Sequence, residues 1–275
     1  MKSINCKGKL IDLSIPRVMG ILNITPDSFY DGGKIKNDSE ILGLAEKMLT
    51  DGATFIDIGG YSSRPGATDI SVNEELERVL PVVTLLLKNF PEVILSIDTF
   101  RAEVAKKAIK AGAAIINDIS AGVLDDQMLK TIADYQVPYI MMHMKGSPQT
   151  MKEFADYKDV VREVLLYFSE RIATTRSYGI NDLIIDPGFG FAKKISHNFD
   201  LLRNTEKLQI ADVPILIGVS RKSMIYKTLD TSAADALNGT TVLNAIALQK
   251  GASILRVHDV KEAVETVKLL DALKG

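Results

Sequence analysis

The chain has 275 residues, 46% hydrophobic and 25% charged, enough for one large core and near the usual size of a single eight-unit α/β barrel. Its formal net charge is -2, with lysines spread along helical segments, which excludes a basic nucleic-acid face or a polybasic membrane patch. Cys6 stands alone, no apolar stretch approaches the roughly 18 residues of a membrane helix, and MKSINCKGKL has no signal-peptide core; the expectation is a soluble, cytoplasmic, disulfide-free protein.

In chain order, residues 1–16 read as a small hairpin plugging the amino end of a barrel. Strand-like apolar runs follow at Val18–Asn23, Phe55–Gly59, Val93–Asp98, Ala114–Asp118, Tyr139–His143, Leu183–Asp186, Ile215–Ser220 and Ile254–His258. Helical patterns follow them in turn at Asp38–Asp51, Val72–Asn89, Ala102–Ala111, Asp125–Tyr135, Lys158–Tyr178, Phe199–Thr205, Ala234–Lys250 and Val260–Leu273. The segment from Val93 to Gly122 writes the unit out in full, with Thr99 as the expected N-cap of its helix and Gly112 as the left-handed stop. Strict β then α alternation over the whole length predicts a single-domain (β/α)8 barrel, a TIM barrel. A doubly wound sheet would call for a GxGxxG fingerprint after the first strand, and the sequence has none.

Strand after strand ends on a group that burial penalises: Asn23, Asp57, Asp98, Asn117, His143, Asp186, Lys222, and the pair Arg256 and His258. A single polar strand end needs no more explanation than its meeting with solvent. In a barrel, however, all these ends converge on the mouth where active sites sit. Alternation puts Gly218, Ser220 and Lys222 on one face of their strand, and Arg256 and His258 on one face of theirs. Two glycine-rich loops, TPDSFYDGGK and GGYSSRPGATD, follow the first two strands and read as lids or anion clamps, or as ordinary flexible connections. Arg64 favours the clamp, because its guanidinium is a fork of donors suited to phosphate. Asn23 is a strand-end hydrogen bonder or a ligand of Mg²⁺, which takes one or two protein oxygens and the rest from phosphate and water. His143 reads equally as a satisfied core histidine, and Met141 and Met142 as packing residues. No HExxH, EF-hand or P-loop spacing occurs.

The motifs MGILNITPDSFYDGG, DIGGYSSRPGA, SIDTFR, INDISAG, MHMKGSPQTM, DPGFGF, GVSRKSMI and LRVHDV, in that order, resemble those of the dihydropteroate synthases, in the pterin-binding enzyme family. The resemblance spans nearly the entire chain. It implies a (β/α)8 barrel that joins 6-hydroxymethyl-7,8-dihydropterin pyrophosphate to p-aminobenzoate, with catalysis resting on Asp98, Lys222 and Arg256. The pterin would be held by Asp98, Asn117, Asp186 and Lys222, with Met142 and Gly218 lining its slot. Pyrophosphate would meet Arg64, Arg256, His258 and, through Mg²⁺, Asn23. Ser63, Arg64, Pro65, Phe191, Ser220 and Lys222 would form the aminobenzoate site. Ser63 departs from the family's usual Thr, keeping the hydroxyl and losing a methyl. The resemblance also implies a homodimer through the late helices. A methyltransferase of the same family, moving a methyl from a folate to a corrinoid protein, shares the Asp, Asn and Asp set but not the phosphate clamp of Arg64, Arg256 and Ser220 to Lys222. A third reading is a pterin-binding protein without catalysis.

Overall fold

The computed structural model describes residues 3–24, 30–31, 34–35, 38–62 and 68–273. Two short antiparallel strands, β1 (Ser3–Cys6) and β2 (Lys9–Asp12), open the chain as the expected hairpin. β3 (Arg17–Asn23) starts the barrel, and a two-residue ribbon, β4 (Tyr30–Asp31) with β5 (Lys34–Ile35), lies in the loop after it. The βα alternation then runs α1 (Asp38–Thr50), β6 (Phe55–Gly59), α2 (Val72–Asn89), β7 (Ile94–Asp98), α3 (Ala102–Ala111), β8 (Ile115–Asp118), α4 (Met128–Tyr135) and β9 (Tyr139–Met142). It continues through α5 (Val160–Ser177), β10 (Leu183–Asp186), α6 (Ile195–Arg203), β11 (Leu216–Ile217), α7 (Ser223–Tyr226), α8 (Leu237–Gln249), β12 (Ile254–Val257) and α9 (Val260–Ala272).

The eight-stranded sheet is parallel throughout, in the order β10, β9, β8, β7, β6, β3, β12, β11. Ring closure comes from a parallel bridge between Ile185 and Ile215, with the Ile185 amide donating to the Pro214 carbonyl at 3.0 Å. Inward side chains from the strand beginnings, Met19, Phe55, Ile94, Ile115, Ile140, Ile184, Leu216 and Ile254, pack in one cluster with Ile4, Cys6, Ile11 and Leu13 of the hairpin. The hairpin is therefore the floor of the barrel. A larger cluster lies between the strands' outward side chains and the helices, with Ile56, Ile58, Val79, Val83, Leu95 and Ile97 fully buried in it. Because the floor is filled with hydrocarbon, the polar strand ends have only the opposite mouth to face. Among the described residues no helix is long and apolar enough to cross a membrane.

Local rules explain three of the helix ends directly. Ser71 caps α2 by accepting from the Glu74 amide at 3.1 Å, and Asp159 caps α5 by accepting from Arg162 at 3.0 Å. Gly112 ends α3 at φ +119°, as its position predicts. Three expectations are corrected and one short helix is added. Thr99 does not cap α3: that helix starts at Ala102, whose amide is capped at 2.7 Å by Asp125 from the following loop. The helix expected at Phe199–Thr205 starts four residues earlier, at Ile195, and a 3-10 segment follows at Thr205–Ala211. The short helix Ser223–Tyr226 was not foreseen. Finally, β11 stops at Ile217, so Ser220 and Lys222 do not lie on a strand face. Arg221 takes φ +53° there, with its guanidinium fixed by Asp259 at 2.9 and 2.8 Å and its amide by the Thr240 hydroxyl at 3.0 Å. The chain turns back on itself, and Lys222, in extended backbone, becomes the N-cap position of α7.

Candidate active site

Parallel register sets one side of the mouth. Asp98 pairs across the sheet with Gly59 on β6 and Asn117 on β8, so the carboxylate and the amide sit side by side. Asp57, one inward position lower on β6, is fully buried. Arg256 reaches across from β12 and donates from Nε to Asp57 Oδ2 at 2.6 Å and from Nη2 to Asp98 Oδ2 at 2.8 Å. Asn117 Nδ2 donates to the same Asp57 oxygen at 2.9 Å. Asp57 thus orients both its neighbours, leaving the Asn117 carbonyl and the outer edge of Asp98 for other partners.

The facing side comes from β10, β11 and the turn after it. Asp186 accepts from the Gly188 amide at 2.8 Å through Oδ1. Gly218 lacks a side chain where one is needed least: a Cβ there would stand 3.9 Å from Lys222 Nζ, 4.0 Å from Asp186 Oδ2 and 3.9 Å from the Arg256 Cβ. Those contacts put the lysine, the second aspartate and the arginine stem around one point. Lys222 Nζ also donates to the Phe189 carbonyl at 2.5 Å and sits 4.9 Å from the centre of the Phe191 ring. An apolar wall adjoins it, where Met142, Met144, Met151, Ile119 and Ala192 cluster with Phe100 and Phe191 packed against them. Polar edge and apolar wall together suit a planar heterocycle that offers both donors and acceptors.

Burial governs the charges. It raises Asp98 from 3.8 to about 7, with Arg256 opposing and Asp57 adding to the rise. Asp186 is pushed up for the same reason, against the pull of Lys222. Burial lowers Lys222 to about 8, while Asp186 opposes the fall. Near neutrality both Asp98 and Lys222 are close to changing charge, as groups that meet a reacting molecule often are.

At the rim, Ser220 Oγ lies 3.0 Å from His258 Nδ1 and accepts from the His258 amide at 3.2 Å. The expected aminobenzoate residue and the expected phosphate residue therefore form one unit. Asn23 ends β3 next to Gly59, where a Cβ would come within 3.4 Å of its amide oxygen and 3.8 Å of the Asp98 Cβ. That oxygen faces the mouth. Among the described residues no group of three or more His, Cys, Asp or Glu could hold a metal. A single amide oxygen still fits Mg²⁺ when a phosphate chain supplies the other ligands.

The model of the family described as "Pterin binding enzyme" matches residues 19–258. The chain belongs to the pterin binding enzymes. Among that family's members, the dihydropteroate synthase of Escherichia coli strain K12 is 46% identical over 268 residues, covering 97% of this chain and 94% of its own. The Synechocystis dihydropteroate synthase is 43% identical, with 93% and 89% covered. In structure, the Yersinia pestis dihydropteroate synthase solved as a sulfonamide drug complex superposes with a TM-score of 0.92 at 42% identity, covering 99% of this chain and 98% of that one. The Xanthomonas albilineans dihydropteroate synthase solved with 7,8-dihydropteroate gives 0.88 at 34% identity, with 100% and 99% covered.

In this pterin binding enzyme Asp98, Asn117, Asp186, Gly218, Lys222, Met142 and Arg256 gather at one mouth, with Asn23, Ser220, Phe191 and His258 around it. Ser63, Arg64 and Pro65, and most of the loop TPDSFYDGGK, lie outside the described residues. His143 does not join the site. Its ring, 2% exposed, stacks edge-on against Tyr167 at 4.8 Å, and burial together with Lys193 and Lys145 keeps it neutral. Sequence reading gave Asp57 no role beyond a polar strand end, although its inward position, two residues before the end of its strand, marks it as a support. Lys193 and Arg101 were given no role, because the partners that set them apart, His143 for Lys193 and Glu75, Asp69 and Ile70 for Arg101, are distant in sequence.

Proposed function

We propose that this chain is a dihydropteroate synthase, condensing 6-hydroxymethyl-7,8-dihydropterin pyrophosphate with p-aminobenzoate to 7,8-dihydropteroate and pyrophosphate. The observation that carries the reading is the convergence of Asp98, Asn117, Asp186 and Lys222 beside an apolar wall and Arg256. Two carboxyl groups, an amide and an amine match the alternating edge of a pterin, and full-length likeness to dihydropteroate synthases supports the same substrate.

In the reaction the methylene carbon–oxygen bond breaks, its electron pair leaving with pyrophosphate and its positive charge spreading into the pterin ring. The aminobenzoate nitrogen then donates its lone pair to that carbon and releases one N–H proton to water. Asp98, as carboxylate, faces the developing cation. A unit charge about 4 Å away is worth roughly 4 kcal/mol at an effective dielectric near 20, or on the order of a thousandfold in rate. Arg256, held by Asp57, and His258 would meet the leaving anion, with Arg64 completing the clamp in this reading. Mg²⁺ held by Asn23 and the pyrophosphate oxygens would neutralise leaving-group charge. Lys222 would hold the pterin from the far side and, with Phe191 and Ser220, border the aminobenzoate.

A homodimer through the late helices belongs to the same proposal, supported by exposed apolar side chains at Leu229, Val242 and Leu269. A cytoplasmic location is supported by the lone, buried thiol of Cys6. The test of the activity is to mix purified protein with the pterin pyrophosphate, Mg²⁺ and p-aminobenzoate. Dihydropteroate and pyrophosphate should form in equal amounts, and absence of product from folded protein would overturn the reading. Exhaustive chelation should abolish turnover while leaving pterin binding intact. Activity without detectable metal would remove the metal from the scheme.

A further inference from the structure

Lys193 has a surrounding that the reaction does not call for. Its Nζ lies 2.9 Å from His143 Nδ1 and donates to the carbonyls of Gly188 at 3.0 Å, Phe191 at 3.0 Å and His143 at 3.3 Å. The four acceptor atoms come from two segments, the end of β9 and the loop after β10, and no carboxylate is among them. Burial pulls the amine well below its ordinary pKa, with Asp186 opposing. A lysine kept away from a carboxylate partner in this way costs stability, so its geometry calls for a reason.

The loop it grips is unusual. Gly188, Gly190 and Ala192 have φ of +71°, +82° and +48°. A Cβ on Gly188 would fall 2.1 Å from the His143 carbonyl oxygen, so the loop backbone rests directly on the end of β9. Asp186 holds the Gly188 amide, and Asn198 Oδ1 holds the Gly190 amide at 2.8 Å. Between those tethers the loop presents the Phe189 carbonyl to Lys222 Nζ and lays the Phe191 ring 4.9 Å from it. Of the residues whose carbonyls Lys193 takes, Gly188 precedes Phe189 and Phe191 itself carries the ring, so Lys193 grips the loop at both groups that meet Lys222. Of the three positive-φ residues only Ala192 is strained, a non-glycine residue in the left-handed region that persists where its surroundings over-determine it, and Lys193 supplies two of the hydrogen bonds that hold this loop.

We infer that Lys193 is a positioning residue: it clamps the 188–191 loop onto β9 and thereby sets Lys222 and the Phe191 ring for the aminobenzoate. The inference rests on the assignment of the site to the synthase reaction. Lys193→Met keeps the stem and removes all the donors, while Asn198→Ala releases the same loop from its other side. Steady-state kinetics of both variants should show KM for p-aminobenzoate raised about tenfold and kcat within about threefold of the parent. Hydrogen exchange at the Gly188, Gly190 and Phe191 amides should quicken, with most other amides unmoved. Parent-like KM in folded Lys193→Met would overturn the inference. So would a loss confined to the fraction of folded protein, with kcat and KM of that fraction unchanged, since that is what a purely structural lysine gives. If Lys193→Met does not fold, Asn198→Ala decides, and an unchanged KM there counts against the clamp. A parent without synthase activity would instead sink the assignment of function, and the exchange measurement would still read the clamp by itself.

Discussion

At the scale of single residues, Asp98 shows how function opposes stability. Burial lifts its carboxyl from 3.8 to about 7, so the fold holds its proton more tightly than the unfolded chain does between those values. Its contribution to stability is thus complete below about pH 4 and is lost as pH rises through about 7. Lys222 has the opposite sign. Its folded value of about 8 lies below 10.5, so the unfolded chain binds the extra proton and stability recovers as pH climbs through that window. The carboxylate of Asp98 and the ammonium of Lys222 coexist best between about 7 and 8. A pH profile of kcat/KM should be a bell with its maximum there, and a flat profile from pH 5 to 10 would contradict the assignment. Asp98→Asn keeps the hydrogen bonding and discards the penalised charge, while Arg256 retains Asp57. Turnover should fall about a hundredfold or more, with Tm at pH 8 no lower than the parent's; near-normal turnover would show that the charge is not used.

At the scale of elements, the described shoulders of the loop after β6 are held by a side chain from the next βα unit. Arg101 donates to Glu75 at 2.9 Å, to Asp69 at 3.1 Å and to the Ile70 carbonyl at 2.5 Å, with its guanidinium 5.1 Å from the Tyr61 ring centre. Tyr61 and Asp69 are the two shoulders of the loop after β6. Arg101→Met should destabilise the protein by about 3 kcal/mol in urea unfolding, because Glu75 is fully buried and would lose a charged partner. Adding Glu75→Gln should recover part of the loss, and strict additivity of the two substitutions would show that they do not act as a pair. These contacts also show where sequence reading ends. Hydrophobic runs, their period and their polar ends are local, and they foretold the barrel, its hairpin floor and the inward set Asp98, Asn117, Asp186 and Arg256. The cap of α3 by Asp125, the turn at Arg221 imposed by Asp259, and the meeting of Lys193 with His143 join residues 23, 38 and 50 positions apart. Nothing in a local pattern encodes such pairings.

At the scale of the molecule, the barrel divides its labour between ends: an apolar floor sealed by the hairpin, and a mouth where charge is concentrated. Aminobenzoate is small, and the glycine-rich loops expected to complete its pocket cost roughly 1 to 2 kcal/mol per residue to order. Pyrophosphate with Mg²⁺ brings charge-assisted bonds that offset this cost, so p-aminobenzoate should bind weakly to the empty protein and well once a pterin and magnesium pyrophosphate are present. Calorimetry that found equal affinity in the two states would point to a preformed pocket. Coupling is reciprocal, so the acid should also slow pyrophosphate release. The central claim is that four residues from separate barrel segments make one pterin site, and a crystal structure of this protein with the pterin substrate and Mg²⁺ tests it most directly. The account predicts the ring edge within hydrogen-bond distance of Asp98, Asn117, Asp186 and Lys222, with Met142 against its face; a pterin bound away from those groups would contradict it.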